Sequence, residues 1–527
     1  MIEVCSGKQS GFATDVITTA LARSVTTGLV QTAGTSDAEA PSGGIFVFIR
    51  PDASDVERIV AVMNRPSKVL IFGELPEEAI ELCGLEAVSA PGPEWEDGAR
   101  CPPAPLYATS RSTAKIVWSD HPLASQSPIR ERPFLRFDYA DEWNNLGYGR
   151  ITANGGIWSI SQQVEPGAAH VLARAETGTG SVSPFVTLHE TAQSSVLWWN
   201  RPSGPVDSAE WAVIEAFLAD WRPHELPCTP VISEIPWSYD GAITMRLDCD
   251  EDIASARPLF EIYKQRGLPF SMAIKTDQED HSEHIALLTE VLKAGGAILS
   301  HSVSHAPRWG GSKEACEAEA RGSIKWLEER IPGIKVRYAV SPFHQNPPYV
   351  PEGLTRAGLK GFIGGIVAND PEMLLARGGR IPADETGCVT HSQQCMMHGE
   401  CVLAKGDRLA ITKEAFLIAL NSEMLFGYLD HPFSPRYDYG WGSETHRLDC
   451  HSEFLDFIKT ETSSRKLLWM NENEALDWIS AKARLVLKPS REGFTLASGS
   501  SSLLARGMTF GARYKGMRQP LQDLING

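Results

Sequence analysis

The sequence lacks the features that mark membrane-spanning, nucleic-acid-binding and disulfide-rich proteins. No window approaches the roughly 18 consecutive apolar residues that cross a bilayer. Acidic residues outnumber basic ones by 66 to 49, so the formal net charge is −17, and no basic patch is present for a phosphate backbone or an anionic membrane surface. Ten cysteines are scattered over 527 residues, which predicts free thiols. Because the first residues lack a basic segment followed by an apolar one, we expect a cytoplasmic protein.

The chain divides near residue 230. The stretch from Trp221 to Tyr239 holds four prolines and no helical periodicity, which is typical of a linker. We therefore expect an N-terminal α/β domain over residues 1–225 and a Pro-rich linker over 226–240. A larger domain is expected over 241–482, followed by a short β-rich extension over 483–527 with a few terminal strands.

The N-terminal part has the pattern of an open α/β sheet domain, in which strands alternate with helices that flank them. The strand-like and helical segments are Ile45–Ile49, Asp52–Asn64, Val69–Phe72, Ser195–Trp199 and Asp207–Trp221. These runs vaguely resemble the class I amidotransferase-like domains. No Gly-x-Cys-x-Gly turn places a nucleophile, so we do not expect amidotransferase activity, and the role of this domain stays open.

After the linker, seven strand-like runs alternate with helical patterns. The runs are Ala242–Leu247, Phe270–Ile274, Ala297–Ser300, Val336–Val340, Phe362–Ile366, Met424–Leu429 and Leu467–Met470. Glycines, as in Arg266-Gly267 and Lys360-Gly361, are predicted to end the helices between them. Successive βα units of this kind predict a closed or nearly closed parallel barrel, here a distorted seven-stranded (β/α) barrel.

Polar residues follow several predicted strands at the end where barrels of this class carry their reactive groups. The first strand leads into Asp248-Cys249-Asp250, the third into His301-Ser302-Val303-Ser304-His305, and the sixth into Asp430-His431. Two imidazoles four residues apart can converge on one divalent cation, and a carboxylate from a neighbouring strand completes a His-His-Asp set. The His-x-x-x-His spacing alone arises by chance, so the prediction depends on this strand-end context.

These residues resemble the motifs of the polysaccharide deacetylase family, which is carbohydrate esterase family 4 and carries the NodB homology domain. Its motifs Thr-Phe-Asp-Asp, His-[Ser/Thr]-x-x-His, Arg-x-Pro-Tyr and Leu-x-His each have a counterpart here, within about residues 240–480. The resemblance implies that Asp248 is the catalytic base and His431 the acid. It also implies that Asp250, His301 and His305 bind one divalent metal, with Zn²⁺ as the first choice and Co²⁺, Ni²⁺ or Mn²⁺ as alternatives.

Two motifs depart from the family pattern. The first reads Asp-Cys-Asp instead of two adjacent aspartates, and the third reads Val340-Ser341-Pro342-Phe343 and so lacks its arginine. Arg246, two residues before Asp248 on the same strand face, or Arg436 after His431 could supply a cation beside the carboxylates. A plain structural ion pair is the alternative for each arginine. Because of these departures, the two carboxylates could exchange roles.

Other residues are candidates for lining the cleft. A backbone N–H near Phe343 is expected to help hold a tetrahedral oxyanion, and His344 is a candidate substrate contact. Trp441 offers a ring against which a sugar face can pack, with aromatic core under the loop as the alternative.

The long loop after the fifth strand holds four residues of metal-ligand type. They are His391, Cys395, His398 and Cys401. Their spacing is compatible with a second, structural zinc site, although paired Cys-x-x-Cys knuckles are absent. Lining of the cleft by His391 or His398, and a purely structural role, are the alternatives.

The resemblance implies a metal-dependent hydrolase that removes an N-acetyl group from an amino sugar. We expect the substrate to be an N-acetylated sugar, a saccharide precursor or a lipid-linked glycan of surface polysaccharide biosynthesis, as for O-antigen. The alternatives are a hydrolase of another C–N bond on the same barrel, and a carbohydrate-binding protein that lost turnover with its motif arginine. No nucleic-acid partner and no membrane span are expected, and the sequence does not indicate the oligomeric state.

Overall fold

The protein forms two compact units. The computed structural model describes residues 1–8, 10–33, 44–88, 115–133, 160–177, 180–201, 208–277, 281–364, 377–391, 394–434, 436–491, 493–497 and 507–526. Of the described residues, the first unit contains those up to Ser233 together with those from Leu485 onward, and the second unit contains those from Glu234 to Arg484. The segment expected to be a linker is not a free connection, because Thr229, Ile232 and Ile235 within it are buried.

The first unit is built on a nine-stranded mixed sheet with helices packed against it. Its elements up to the division are β1 Ile2–Ser6, α1 Gly11–Val25, β2 Val30–Thr32, β3 Ile45–Ile49, α2 Val56–Met63, β4 Ser67–Phe72, α3 Glu77–Leu82, β5 Leu85–Ala87, β6 Lys115–Trp118, β7 Glu131–Pro133, β8 Val164–Pro166, β9 His170–Thr177, β10 Gly180–Glu190, β11 Ser194–Trp199, α4 Ser208–Ala219 and β12 Val231–Ile232.

The strand order in this sheet is β2-β1-β3-β4-β11-β10-β9-β6-β7. The strands from β2 to β11 pair in parallel, and those from β11 to β7 pair in antiparallel fashion. Strands β3 and β4 are buried at every position, because a parallel strand covered on both faces needs apolar side chains on both. The expected open α/β sheet domain is therefore confirmed.

The second unit contains ten strands and seven helices among its described residues. They are β13 Gly241–Cys249, α5 Arg257–Gln265, β14 Ser271–Ile274, α6 Ser282–Lys293, β15 Ala297–Ser300, α7 Lys313–Arg330, β16 Tyr338–Val340, α8 Val350–Arg356, β17 Gly361–Ile363, β18 Gly379–Arg380, β19 Val389–His391, β20 Gln394–Met396, α9 Ala410–Asn421, β21 Leu425–Asp430, α10 Glu444–Glu461, β22 Leu467–Trp469 and α11 Glu472–Arg484.

These ten strands form one curled sheet. Its path is β18-β19-β17-β16-β15-β14-β13-β21-β20, and β22 pairs with β13. All seven predicted strands lie in it and pair in parallel, so the distorted (β/α) barrel is confirmed as the fold class. Within the described strands the two ends, β18 and β20, do not pair with each other. The predicted long loop after the fifth strand contains three short strands, β18 to β20.

Glycines end helices of this unit, but not always where the sequence suggested. Gly267 follows α5 with a φ of 67°, a left-handed conformation that costs glycine little. Helix α8, before β17, ends at Arg356, and the glycine that follows it in a left-handed conformation is Gly358, with a φ of 99°. Gly361 is instead the first residue of β17.

The sheet register brings the carboxyl ends of four strands to one edge. Asp248 on β13 is opposite Ala273 on β14, and Ile274 is opposite Ser300 at the end of β15. On the other side of β13, Leu247 is opposite Asp430 at the end of β21. The residues that follow these strand ends are therefore held next to one another.

The residues after 484 join the first unit. They form β23 Leu487–Ser490, β24 Gly493–Leu496, β25 Gly511–Tyr514, β26 Met517–Pro520 and α12 Leu521–Asn526. The predicted terminal strands are present, but they do not make a separate extension, because β25 pairs with β12 in a three-stranded sheet with β26. Arg513 of β25 also forms an ion pair with Asp220.

The described cysteines are free thiols, as the sequence predicts. The nine cysteines in the described part of the chain are all free thiols, and Cys101 lies outside it. Cys83 is buried in the core of the first unit, and this burial raises the pKa of its thiol to about 12.

Among the described helices, none has the length and apolarity needed to span a membrane.

Candidate metal centre

Asp250, His301 and His305 converge at the carboxyl end of the curled sheet. Nε2 of His301 lies 3.1 Å from Nε2 of His305, and Oδ1 of Asp250 lies 3.2 Å and 3.5 Å from these two nitrogens. Ligand bonds of about 2.1 Å place donor atoms about 3.0–3.4 Å apart around one cation. Within the described ranges, these three residues are the one group of His, Cys, Asp or Glu with donor atoms close enough to share an ion.

Hydrogen bonding leaves the donor atoms of this group directed at one another. Nδ1 of His301 lies 2.9 Å from the carbonyl oxygen of Val340, so it carries the proton and Nε2 keeps its lone pair. Oδ1 of Asp250 is buried and has no hydrogen bond of normal geometry to the protein. Two lone-pair nitrogens and a carboxylate oxygen that face one another fit a divalent cation, and this donor set is compatible with zinc or another first-row metal.

The loop after β15 turns His305 back toward His301. Ser302 and His305 adopt left-handed conformations with φ of 65° and 56°, and Oγ of Ser302 accepts a hydrogen bond from the His305 N–H at 2.9 Å. The Glu319 carboxylate of α7 accepts hydrogen bonds from the backbone N–H groups of Val303 and Ser304, each at 2.9 Å. These bonds stabilise a turn that the backbone alone disfavours.

Burial and local charge favour the protonation states that metal binding requires in His305 and Asp250. In His301, burial would lower the pKa, but Asp250 and Asp248 raise it, so a cation has to displace a proton there. Burial and the neighbouring His301 lower the pKa of His305 to about 4. Burial would raise the pKa of Asp250, but the neighbouring imidazoles of His301, His431 and His305 bring it well below its usual value. At neutral pH the carboxyl is therefore ionised and the His305 ring is neutral.

Asp248 is held by Arg246 on the same face of β13. Nε of Arg246 donates to Oδ1 of Asp248 at 2.7 Å, and Nη2 donates to Oδ2 at 3.1 Å, with both side chains buried. Burial would raise the pKa of Asp248, but the guanidinium outweighs it and lowers the pKa to about 2. Of the two arginines predicted from the sequence, the geometry selects Arg246, because Arg436 is 85% exposed and faces Glu251 at 3.7 Å.

His431 faces Oδ2 of Asp250, whereas His301 and His305 face Oδ1. Its Nε2 is 3.5 Å from Oδ2 of Asp250, and its Nδ1 is 2.7 Å from Nε2 of His398. Its ring stacks on Tyr439 with centroids 4.2 Å apart, and the Tyr439 hydroxyl donates to Oδ2 of Asp250 at 3.3 Å. Burial and the nearby His398 lower the pKa of His431 to about 4. The sequence analysis did not single out Tyr439, because no local pattern indicates its contact with the Asp250 carboxylate.

A polar cleft of about 970 Å³ opens over these groups. Its lining includes Asp248, Asp250, His301, His305, His344 and His431, with Glu251, Lys275, Asp277, Phe343, Arg436 and Tyr437 among the residues around them. Phe343 and Tyr437 are 48% and 57% exposed, so each presents a ring face to a bound molecule. His344 is buried at the cleft wall, and burial together with Arg246 lowers its pKa well below the usual value.

Trp441 belongs to the core under the loop and not to the cleft lining. It is 3% exposed, and its Nε1 donates to Oδ1 of Asp430 at 3.1 Å. Asp430 also accepts from Nη1 of Arg447 and lies 2.9 Å from Nε2 of His451, and Nη1 of Arg447 donates to the backbone oxygen of His431. Trp441 is therefore part of an aromatic core under the loop. The buried network around Asp430, which the sequence did not predict, holds the backbone of His431 in place through Arg447.

The four residues proposed as a second zinc site do not gather around one point. His391 is buried on β19, next to one end of the sheet path, and Cys395 lies on β20, at the other end. Among the described residues, these four do not form a group whose donor atoms are close enough to share an ion. Nε2 of His398 bonds with His431, so it is not directed at the Cys401 thiol. His398 lies behind His431 instead of on the cleft surface, and His391 is absent from the described lining.

Glu472, at the start of α11, is a buried carboxyl that the sequence did not single out. Its backbone N–H donates to Oγ of Ser271, which is opposite Arg246 in the sheet, so Glu472 lies at the level of Arg246. The side chain is fully buried, and neither carboxylate oxygen has a hydrogen-bond partner in the protein. Burial raises the pKa of Glu472 to about 7, although Arg246 opposes the shift.

Glu472→Gln is expected to stabilise the protein at pH 8 but not at pH 4.5. In the unfolded chain this carboxyl ionises near 4.5, and in the folded chain near 7. The folded state therefore binds more protons between these values, and the contribution of Glu472 to the free energy of unfolding falls with rising pH, by up to about 3 kcal/mol above pH 7. Glutamine does not ionise and avoids this loss.

Urea unfolding of the full chain at both pH values measures the effect. The exposed Glu461, at the end of α10, supplies the control Glu461→Gln, which should show no pH-dependent difference from the parent protein. A Glu472→Gln difference of equal size at both pH values would contradict the buried-carboxyl interpretation.

Comparison with known proteins gives matches of shape only. No family model matches the sequence, and no curated protein matches it. Among solved structures, Agd3, titled a novel carbohydrate deacetylase, aligns with 97% of this chain and 92% of its own at 9% identity and a TM-score of 0.41. A family 4 acetyl xylan esterase from Clostridium thermocellum, in complex with a cobalt ion, aligns with 44% of this chain and 89% of its own at 15% identity and a TM-score of 0.29.

A third match, BA3943 from Bacillus anthracis, is titled a CE4 family pseudoenzyme. It aligns with 48% of this chain and 71% of its own at 14% identity and a TM-score of 0.29. The last two proteins bear the name of the family whose motifs the sequence resembles. Because the identities are 9–15% and the TM-scores 0.29–0.41, the function has to be inferred from the residues of this chain.

Proposed function

We propose that this chain is a metal-dependent hydrolase of the polysaccharide deacetylase family, which removes an N-acetyl group from an amino sugar. The observation that carries the proposal is one cleft in which a His-His-Asp ligand set lies beside a second, arginine-bound carboxylate and an imidazole. Amide hydrolysis needs these three functions together: an electrophilic centre, a base for water and an acid for the leaving amine.

In this proposal Asp250, His301 and His305 hold the cation. When bound, a divalent cation lowers the pKa of a water molecule toward about 7 and polarises the acetamide carbonyl. Zn²⁺ fits the two imidazoles and one carboxylate, and Co²⁺, Ni²⁺ and Mn²⁺ are the alternatives to be tested by metal analysis.

Asp248 acts as the base. Its pKa near 2 keeps it ionised at neutral pH, and the two bonds from Arg246 fix the orientation of its carboxylate. Asp248 and Asp250 both line the cleft, so the base and the proposed metal ligand face the same space. Asp248 takes the proton from the attacking water while the C–O bond forms.

His431 acts as the acid on the other side of Asp250. Its Nε2 faces this carboxylate at 3.5 Å, and stacking on Tyr439 fixes the plane of the ring. Because the pKa of His431 lies near 4, the resting ring is neutral, so it gains a second proton, the one released by the attacking water through Asp248, before Nε2 protonates the departing amine. Acetate and the free amino sugar then leave the cleft.

His431→Ala is expected to keep the metal but to lose amide hydrolysis selectively. Because it removes no proposed ligand, metal content should stay the same, while kcat for an N-acetyl sugar should fall by about 10²–10⁴. An acetyl ester with a good leaving group needs no protonation and should lose far less. Acetate release from both substrates measures the ratio. A matched variant of an exposed histidine outside the cleft, His281→Ala, should leave the ratio unchanged, and an equal loss on both substrates in His431→Ala would exclude the acid role.

The N-acetylated sugar is proposed to be a saccharide precursor or a lipid-linked glycan of surface polysaccharide biosynthesis. The exposed rings of Phe343 and Tyr437 support a sugar in the cleft, because such rings pack against the apolar faces of pyranoses. Metal analysis of the purified protein, combined with acetate release from a panel of N-acetylated mono- and oligosaccharides, tests the proposal. One equivalent of metal with no acetate from any member of the panel would overturn it in favour of another C–N bond.

The carbohydrate-binding alternative rested on the arginine missing from the third motif. Arg246 supplies a guanidinium at Asp248 through two hydrogen bonds, so this departure gives no reason to expect lost turnover.

A further inference from the structure

We propose that His398 is a positioning residue, which holds His431 in the orientation and protonation pattern that an acid requires. This inference rests on the proposed function. His398 lies 33 residues before His431, on the segment after β20, and its Nε2 is 2.7 Å from Nδ1 of His431. Both side chains are largely buried, and their ring centroids are 4.8 Å apart.

The segment that carries His398 is fitted closely to the segment after His431. A Cβ atom at Gly399 would lie 2.2 Å from the backbone of Gly440, so only glycine permits this approach. The approach places the ring of His398 against Tyr439, with centroids 5.0 Å apart, and Tyr439 in turn stacks on His431. His398 is therefore fixed from two sides, which is what a positioning residue needs.

The 2.7 Å contact joins two ring nitrogens and so requires one proton between them. An acid-competent His431 carries protons on both nitrogens: Nε2–H points toward the departing amine, and Nδ1–H must have an acceptor. Nε2 of His398 is that acceptor. The other nitrogen of His398, Nδ1, is buried without a hydrogen-bond partner, and the nearest carboxylate oxygen, Oε1 of Glu400, is 3.7 Å away. After Nε2 of His431 releases its proton, the bond to His398 keeps the ring in place.

A pair of variants separates positioning from bulk packing. His398→Leu keeps the apolar volume but removes the acceptor, and His398→Gln offers an amide oxygen to Nδ1–H of His431. We expect His398→Leu to lower kcat for amide hydrolysis by about 10–100-fold and to change hydrolysis of an activated acetyl ester little. His398→Gln should recover a large part of the loss. The conservative variant Met397→Leu, at the buried neighbouring position, should leave both rates as they are.

Nitrogen-15 NMR of the histidine rings gives a second measurement that does not depend on turnover. In the full-length metal-free protein, the Nδ1 signal of His431 should shift in His398→Leu and not in Met397→Leu. Equal losses on amide and ester in His398→Leu, or an unshifted Nδ1 signal, would overturn the inference. If the parent protein releases no acetate but the Nδ1 signal shifts, the proposed function fails while the His398–His431 contact stands.

Discussion

His301→Ala is expected to remove the metal and the amide hydrolysis together, with a loss of activity of at least about 10³-fold. The variant deletes one of three donor atoms from a group whose members lie 3.1–3.5 Å apart, and among the described residues this group has no fourth member. His301 follows the end of β15, and strand-end loops contribute little to a barrel core, so the fold should persist. Metal analysis after dialysis, acetate release and a thermal unfolding curve give the three readouts.

His305→Ala should behave in the same way. His344→Ala serves as the control for metal content, because His344 lines the same cleft but lies outside the ligand group. Full metal and full turnover in either ligand variant would disprove the assignment of the centre. Loss of the unfolding transition would instead show that the histidine has a structural role.

Asp248→Asn is expected to retain the metal and to lower kcat by about 10²–10⁴, the usual contribution of a positioned proton acceptor. The variant leaves the buried Arg246 without its carboxylate, so some loss of stability is also expected. Asp248→Asn combined with Arg246→Met, which removes both charges, controls for that loss: it should be more stable than the single variant and equally inactive.

Asp250→Asn should fail in a different way. Here metal affinity falls first, and excess cation should recover part of the activity. Metal occupancy of the two aspartate variants is decisive. If Asp248→Asn is emptied while Asp250→Asn stays loaded, the two carboxylates have exchanged roles.

The parts of the fold that the sequence predicted share one physical cause. Parallel strands buried on both faces, such as β13 with its nine buried positions, produce continuous apolar runs that stand out from their surroundings. The reactive residues could be located because they follow such runs directly. The sequence offered Arg246 as one of two candidate partners of Asp248, because side chains two residues apart on a strand share a face, and the structure shows this ion pair.

Features that depend on contacts between residues far apart in sequence could not be predicted from local patterns. Strands β18 to β20 have two or three residues each, which is too short for a periodic pattern. The four His and Cys residues of that region looked like one ligand set because they are close in sequence, but the sheet separates them. The contact of His398 with His431 and the burial of Trp441 on Asp430 arise from how loops meet, and no local pattern encodes that.

The pairing of β12 with β25 sets an order of events during synthesis on the ribosome. Ser233, which follows β12, bonds to Gly511 of β25 across 278 residues of sequence. At elongation rates of 5–20 residues per second, about 15–55 seconds pass between the synthesis of β12 and that of β25. The described part of the second unit is synthesised in this interval. We expect ribosome-bound chains from which Arg484 has emerged but β25 has not to hold a protease-resistant second unit and a first unit whose β12 edge is still open to chaperones.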